Sequence, residues 1–224
     1  MRLIGMLDSP YVRRVAISLE HLGVPFEHES VSVFSTFEKF QGINPVVKAP
    51  TLVCDDGEVL MDSSLILQFV EAARVNGKSL WSRDPVALQH EYRAVGLALA
   101  ACEKSAQIVY ERNLRPASAQ YEPWVKRVTG QLLAAYAGLE GEVQQRQTAF
   151  AVTCSQASVT VAVAWQFTQS LLATIVPAAD HPQLVGLSAR MEQTPEFLKY
   201  PSAGPGVPGV GGPADPRSSK TPQS

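Results

Sequence analysis

No run of five or six like charges occurs in the 224 residues, and 19 basic and 21 acidic side chains nearly cancel to a formal charge of -2. Nucleic acid and anionic membranes are held by clustered cations, so neither is expected as a partner. Cysteine is scarce. Cys54, Cys102 and Cys154 are odd in number, widely spaced and in no metal-ligand pattern. That excludes a disulfide-stapled secreted fold, gives no basis for a metal centre and fits a reducing cytoplasm. Long hydrophobic runs are also missing: the most apolar stretch, Val159 to Phe167, is too short to span a bilayer. Met1 to Met6 carries no long apolar region and no cleavage site, so no signal peptide is expected.

What is present is apolar material, 46% of the chain, enough for one large core or two smaller ones. Residues 2 to 6 read as a short buried strand. After Ser9 and Pro10, the residues Val12, Val15, Ala16, Leu19 and Leu22 recur at helical spacing, and Gly23 ends the helix. Phe26 to Val33 alternates as a second strand, which makes a βαβ unit and implies a parallel pair. An irregular stretch through Gly42, Asn44 and Pro45 follows. Thr51 to Val53 and Val59 to Met61 then flank Asp55, Asp56 and Gly57, a hairpin signal. Leu65, Ile66, Phe69, Val70 and Ala73 mark a third helix, opening at Asp62, Ser63 or Ser64. The order βαβ then ββα is the thioredoxin arrangement, although other small α/β folds share it.

From Asn76 to Pro85 the composition turns polar and glycine- and proline-bearing, as in a linker, with Trp81 as an anchoring aromatic. Beyond it the signals are helical. Val95, Leu99, Cys102, Ala106 and Val109 step by four and three, as do Leu132, Tyr136, Leu139 and Val143, predicting an antiparallel helix pair. Val159 to Phe167 is apolar on every face and predicts a central helix, capped by Ser155. Shorter helices are expected around Leu184 to Met191 and Pro195 to Leu198. The resulting division is 1–78, an α/β domain; 79–85, a linker; 86–200, an all-helical domain; and 201–224, a Pro/Gly/Ser-rich tail expected to be disordered.

Three fragments carry chemistry. Ser9 and Pro10 sit where the first strand hands over to the first helix, where free N–H groups and the helix dipole favour negative charge. Ser9 suits an N-cap equally well. Pro50 stands directly before a strand, where either a cis bond turning the chain or an ordinary trans proline fits. Asp62, Ser63 and Ser64 open the third helix. They suit an N-cap, or a site in which Ser63 holds a carboxylate and Asp62 an ammonium group.

Together and in this order, the fragments Ser9-Pro10-Tyr11-Val12-Arg13-Arg14, Asn44-Pro45 through Ala49-Pro50-Thr51-Leu52, and Asp62-Ser63 resemble the glutathione transferase family, and most closely its bacterial serine-type members. The likeness runs to about residue 200. It implies a thioredoxin-like N-terminal domain holding glutathione as co-substrate, an all-α C-terminal domain, and a cytoplasmic homodimer. Pro50 would be cis, and the Ala49 backbone would pair with the cysteinyl part of glutathione like an added strand. Asp62 and Ser63 would hold the γ-glutamyl end and Lys48 the glycyl carboxylate. Ser9 would donate a hydrogen bond to the glutathione sulfur, so that the substrate thiol, stabilised as thiolate, is the nucleophile. Gln107, Tyr110 and Arg112, with Glu103, would border the pocket for a small hydrophobic electrophile. The activity implied is transfer of glutathione in detoxification, or a glutathione-dependent peroxidase or reductase activity. The alternative is a non-catalytic or regulatory binding protein on the same fold.

Cysteine is absent from residues 9 to 12, which removes a thioredoxin-type dithiol. Three positions depart from the family pattern: Ala49 replaces a larger aliphatic, Asp62 a glutamate, and Ser158 the aspartate of a capping box. The first two are expected to weaken glutathione binding. The third is expected to weaken the central helix, on the view that a serine there cannot reach back as an acid would.

Overall fold

The structure is a computed structural model; it describes residues 1–73, 77–152, 154–204 and 206–209. β1 (Arg2–Ile4), α1 (Pro10–Leu22) and β2 (Glu27–Glu29) form the opening βαβ unit, with β1 and β2 parallel. α2 (Phe37–Ile43) comes next, then β3 (Thr51–Val53), β4 (Val59–Met61) and α3 (Ser63–Ala73). The sheet order is β2-β1-β3-β4, with β3 antiparallel to both neighbours and Leu3 opposite Leu52. This is a thioredoxin-like sheet. Leu3 and Leu52 belong to the main core, which takes in α1 and α3, while Ile4 packs with Val31 and Phe40 in a small second core closed by α2. α2 falls in the stretch the sequence presents as irregular. β2 is also shorter than the expected Phe26 to Val33, because Val31 leaves the strand to enter that second core.

The rest is helical: α4 (Pro85–Asn113), α5 (Glu122–Gln145), α6 (Gln147–Val152), α7 (Gln156–Leu172), α8 (Pro182–Met191) and α9 (Pro195–Lys199). α4 and α5 pair antiparallel, since Arg93 contacts Glu142 and Arg112 contacts Glu122. α7 is central, with Val159, Val161, Ala162, Val163, Ala164 and Trp165 all buried. The connecting residues are pinned. Glu71 accepts hydrogen bonds from the Leu80 amide and the Ser79 hydroxyl, Gln156 donates its amide to the Leu80 carbonyl, and Trp81 stacks on Tyr92. α1 packs directly on α7, where Ser18 donates to Gln156 at 3.2 Å.

The expectation for Ser158 is overturned. The Ser158 amide donates to the Ser155 hydroxyl at 3.1 Å, and the Ser158 hydroxyl accepts from the Ser155 amide at 2.8 Å, a complete reciprocal box. Both residues are buried, so the short serine side chain reaches a donor that cannot turn to water. Ser158→Ala should therefore cost about 1 kcal/mol, read as a lowered urea midpoint with an unchanged slope.

The tail departs from expectation where it is described. Residues 201–204 and 206–209 hold no helix or strand, yet the Gly206 amide donates to Asp8 at 3.0 Å and Val207 packs against the main core. One apolar side chain among glycines and prolines is enough to anchor this segment. The expected disorder of 210–224 lies outside the described residues.

Candidate functional site

The end of β1 meets the start of α1 at an unusually close approach. Gly5 has φ 140°, and a Cβ there would lie 2.6 Å from Val12 and 3.3 Å from Ala49. Only glycine lets the strand end slide between the helix and the loop carrying Ala49. That loop is fixed from beneath by buried Asn44, which donates to the Thr51 hydroxyl at 2.8 Å and accepts from the Val46 amide. Thr51 in turn donates to the Lys48 carbonyl. The Ala49–Pro50 peptide bond is cis. Val47 and Asp62, on either side of the site, both take positive φ, 53° and 74°. Such backbone is costly for side chains other than glycine and concentrates where function fixes the chain.

Two cavities meet along this edge. One, of about 440 Å³, is mainly apolar: Met6, Pro10, Val33, Phe34, Val109 and Phe167 line it, with Ser9, Asp8 and Tyr110 among its few polar groups. The other, of about 550 Å³, lies against Pro50, Asp62, Ser63, Ser64 and Glu103. Tyr11, Lys48 and Ala49 border both. Each volume is of the size that holds a small ligand.

Ser9 caps α1, but with a long bond: the Val12 amide donates to its Oγ at 3.5 Å. Capping uses an oxygen lone pair and leaves the hydroxyl proton unspent. The two readings of Ser9 are therefore compatible. Ser63 is buried and Asp62 accepts from the Ser64 amide at 2.9 Å, so Asp62 does the local capping and Ser63 does not. Lys48 and Asp62 form an exposed ion pair at 3.6 Å across the mouth of the second cavity.

A glutathione S-transferase N-terminal domain model matches residues 3–77. A GST-like protein of Escherichia coli, YibF, is 29% identical over 141 residues, 63% of this chain and 69% of its own length. Glutathione S-transferase U4 of Arabidopsis thaliana is 27% identical over 92 residues, 41% of this chain but only 38% of its own length. A glutathione transferase family member from Pseudomonas fluorescens Pf-5, solved with bound glutathione, is 28% identical, covers 89% of this chain and 97% of its own, and superposes with a TM-score of 0.77. The chain is thus similar to glutathione transferases, through the N-terminal domain model over residues 3–77 and a shared fold over 89% of its length.

The resemblance groups Ser9, Lys48, Ala49, Pro50, Asp62 and Ser63 in one region, and the structure brings all six to the edge shared by the two cavities. The proposed electrophile residues separate. Tyr110 lines the apolar cavity and meets Phe34 edge-on at 5.9 Å. Gln107 and Arg112 do not line it. Gln107 donates to Glu103, and Arg112 pairs with Glu122 and Gln120. One turn of α4 presents Ala106, Val109 and Tyr110 to the cavity; residues 107 and 112 are rotated off that face.

Two further residues border the site. Arg14 is 2% exposed and donates from Nη1 to Ser63 Oγ at 3.0 Å and Ser64 Oγ at 3.2 Å, while its buried Nε has no hydrogen-bond partner among the described residues. Burial pushes its guanidinium down to about 10, against the opposing pull of Cys102, Asp62 and Tyr11. Because Arg14 donates to it, Ser63 accepts there and keeps its own proton for a ligand. Asp8 is the other, raised above the usual carboxylate range by burial although the Gly206, Ser9 and Asp8 amides oppose the shift. Neither residue has a local sequence signal, since both are defined by what packs on them. The three thiols are all pushed up, chiefly by burial, Cys102 to about 12 and Cys154 to about 11. A protein thiolate is therefore disfavoured at neutral pH.

Proposed function

We propose that this protein is a serine-type glutathione transferase that binds glutathione as a thiolate and conjugates it to a small hydrophobic electrophile. One observation carries the reading: a cavity of mixed lining fit for a peptide and the apolar cavity fit for an electrophile meet along Tyr11, Lys48 and Ala49, with Ser9 on the apolar wall at a helix N-terminus. The Ala49 backbone would pair with the cysteinyl residue, whose sulfur would then lie beside Ser9. Ser63, positioned by Arg14, would donate to the γ-glutamyl carboxylate and Asp62 would accept from the ammonium group. Lys48, on a flexible exposed stem, would reach the glycyl carboxylate. The sulfur lone pair forms the new S–C bond while the leaving group departs with its electrons.

Calorimetric titration with glutathione, followed by turnover with 1-chloro-2,4-dinitrobenzene and with cumene hydroperoxide, tests the proposal. Binding with turnover of either supports an enzyme and tells transferase from peroxidase. Binding without turnover favours the non-catalytic module, and no binding overturns both.

The same reading includes a cytoplasmic homodimer. Val59, Met61, Leu65 and Phe69 are exposed on β4 and α3, and Tyr92 and Leu133 on α4 and α5. Two such apolar faces suit the family pairing of one chain's first domain with the other's helices. Sedimentation at micromolar concentration should give twice the chain mass; Leu65→Glu should shift it to monomer. A wild-type monomer would reject the dimer.

A further inference from the structure

The apolar cavity contains a carboxylate directly beside the position assigned to the sulfur. Asp8 precedes Ser9 and lines the cavity with it. No described cation pairs with Asp8, and Lys48, the described cation on the same lining, faces Asp62. Nor is Asp8 free to swing away. Gly206 donates its amide to Asp8 Oδ2 at 3.0 Å. At Gly204 a Cβ would lie 2.7 Å from Asp8 Cγ and 2.9 Å from Oδ1, so the backbone of 204 and 206 closes over the carboxylate. Val207, beside it, contributes to the cavity wall.

A fixed, unpaired carboxylate among aliphatic and aromatic groups gives the cavity a negative potential. Among the described lining residues the one cation, Lys48, is paired with Asp62, and burial keeps the hydroxyls of Tyr110 and Tyr11 protonated. Such a potential acts on a co-substrate in two ways: it repels carboxylates and favours cations or N–H donors.

We infer that Asp8 is the charge-selecting residue of the electrophile pocket, so that the preferred co-substrates are hydrophobic electrophiles carrying a cationic or N–H donor group. This rests on the transferase reading of the two cavities. It is distinct from any role in thiolate formation, and a thioether probe separates the two. The cavity is partly open to solvent, so the discrimination is screened and moderate in size.

The experiment is equilibrium binding at low ionic strength of glutathione, S-benzylglutathione, and S-benzylglutathiones bearing a para-carboxylate or a para-trimethylammonium group. None of the conjugates has an ionisable sulfur. Wild type should bind the cationic conjugate about tenfold more tightly than the anionic one, a difference of about 1.4 kcal/mol. Asp8→Asn keeps the shape and the bond from Gly206; it should bring that ratio to within about twofold of one and leave S-benzylglutathione nearly unchanged. A wild-type ratio near one, or a ratio that Asp8→Asn leaves intact, overturns the assignment while the transferase reading stands, provided glutathione binds. Failure of glutathione itself to bind overturns both.

Discussion

Ser9→Ala is expected to bind glutathione and leave it as a thiol at neutral pH. The proposed role requires the bound thiol to ionise well below its ordinary value of about 8.5, and a shift of roughly two units needs about 2.7 kcal/mol favouring thiolate over thiol. The N-terminus of α1 supplies only about 0.3–1 kcal/mol of this. A hydrogen bond to a charged acceptor supplies roughly 1.5–3 kcal/mol, so the hydroxyl dominates. Asp8 works against both, because a carboxylate beside the sulfur disfavours a second negative charge. With less margin to spare, loss of the hydroxyl should carry the thiol most of the way back towards about 8.5. Ultraviolet thiolate absorbance against pH reads this directly, and conjugation at pH 6.5 should fall by about twenty- to fiftyfold. The long bond from Val12 means that little helix stability goes with it. A mutant that keeps its thiolate would transfer the role to the helix terminus and the surrounding amides.

Glu192→Ala should be strongly destabilising although it lies far from the site. Arg13 is 1% exposed and holds Glu192 through two bonds, at 2.7 and 2.6 Å, while its Nε donates to the Tyr200 carbonyl at 2.9 Å. Its guanidinium also lies 5.2 Å from the centre of the Phe197 ring. Removing the carboxylate, itself 28% exposed, leaves the buried cation only the Tyr200 carbonyl and the Phe197 ring, at about 3 kcal/mol. For a chain of this length the melting temperature should drop on the order of 10 °C. The double variant Arg13→Met with Glu192→Leu removes both charges and should recover most of the loss. If Glu192→Ala costs under about 1 kcal/mol, the pair is solvated in solution and the argument from burial fails.

How much of this could be read in the sequence follows from how local each cause is. α1, α5 and α7 were legible because their apolar residues repeat over three turns or more. α2 was not: in seven residues only Phe40 is buried, and Gly42 weakens the helical signal. The edge carrying Ser9, Ala49, Pro50, Asp62 and Ser63 was legible through joint spacing, since each fragment alone fits an ordinary cap or strand start. Arg13 and Arg14 look like a solvent-facing pair on any helix. Their burial depends on residues 192 and 200 for one and on 63 and 64 for the other, so no window of sequence contains the reason. Asp8 was hidden in the same way by Gly206. Ser158 completes its box, against expectation from side-chain length, because the Ser155 amide lies within 2.8 Å of its hydroxyl.

The joint between Arg13 and the last helices also sets an order of events during synthesis. Arg13 is synthesised well before its partners, which lie 179 and 187 residues later in the chain. At about 5–20 residues per second, the first helix waits roughly 10–40 seconds before its buried charge can be met. The opening βαβ unit therefore cannot settle as an independent nascent domain with that face sealed, and a ribosome stalled before Glu192 would hold a first domain whose inner surface is still open to chaperones.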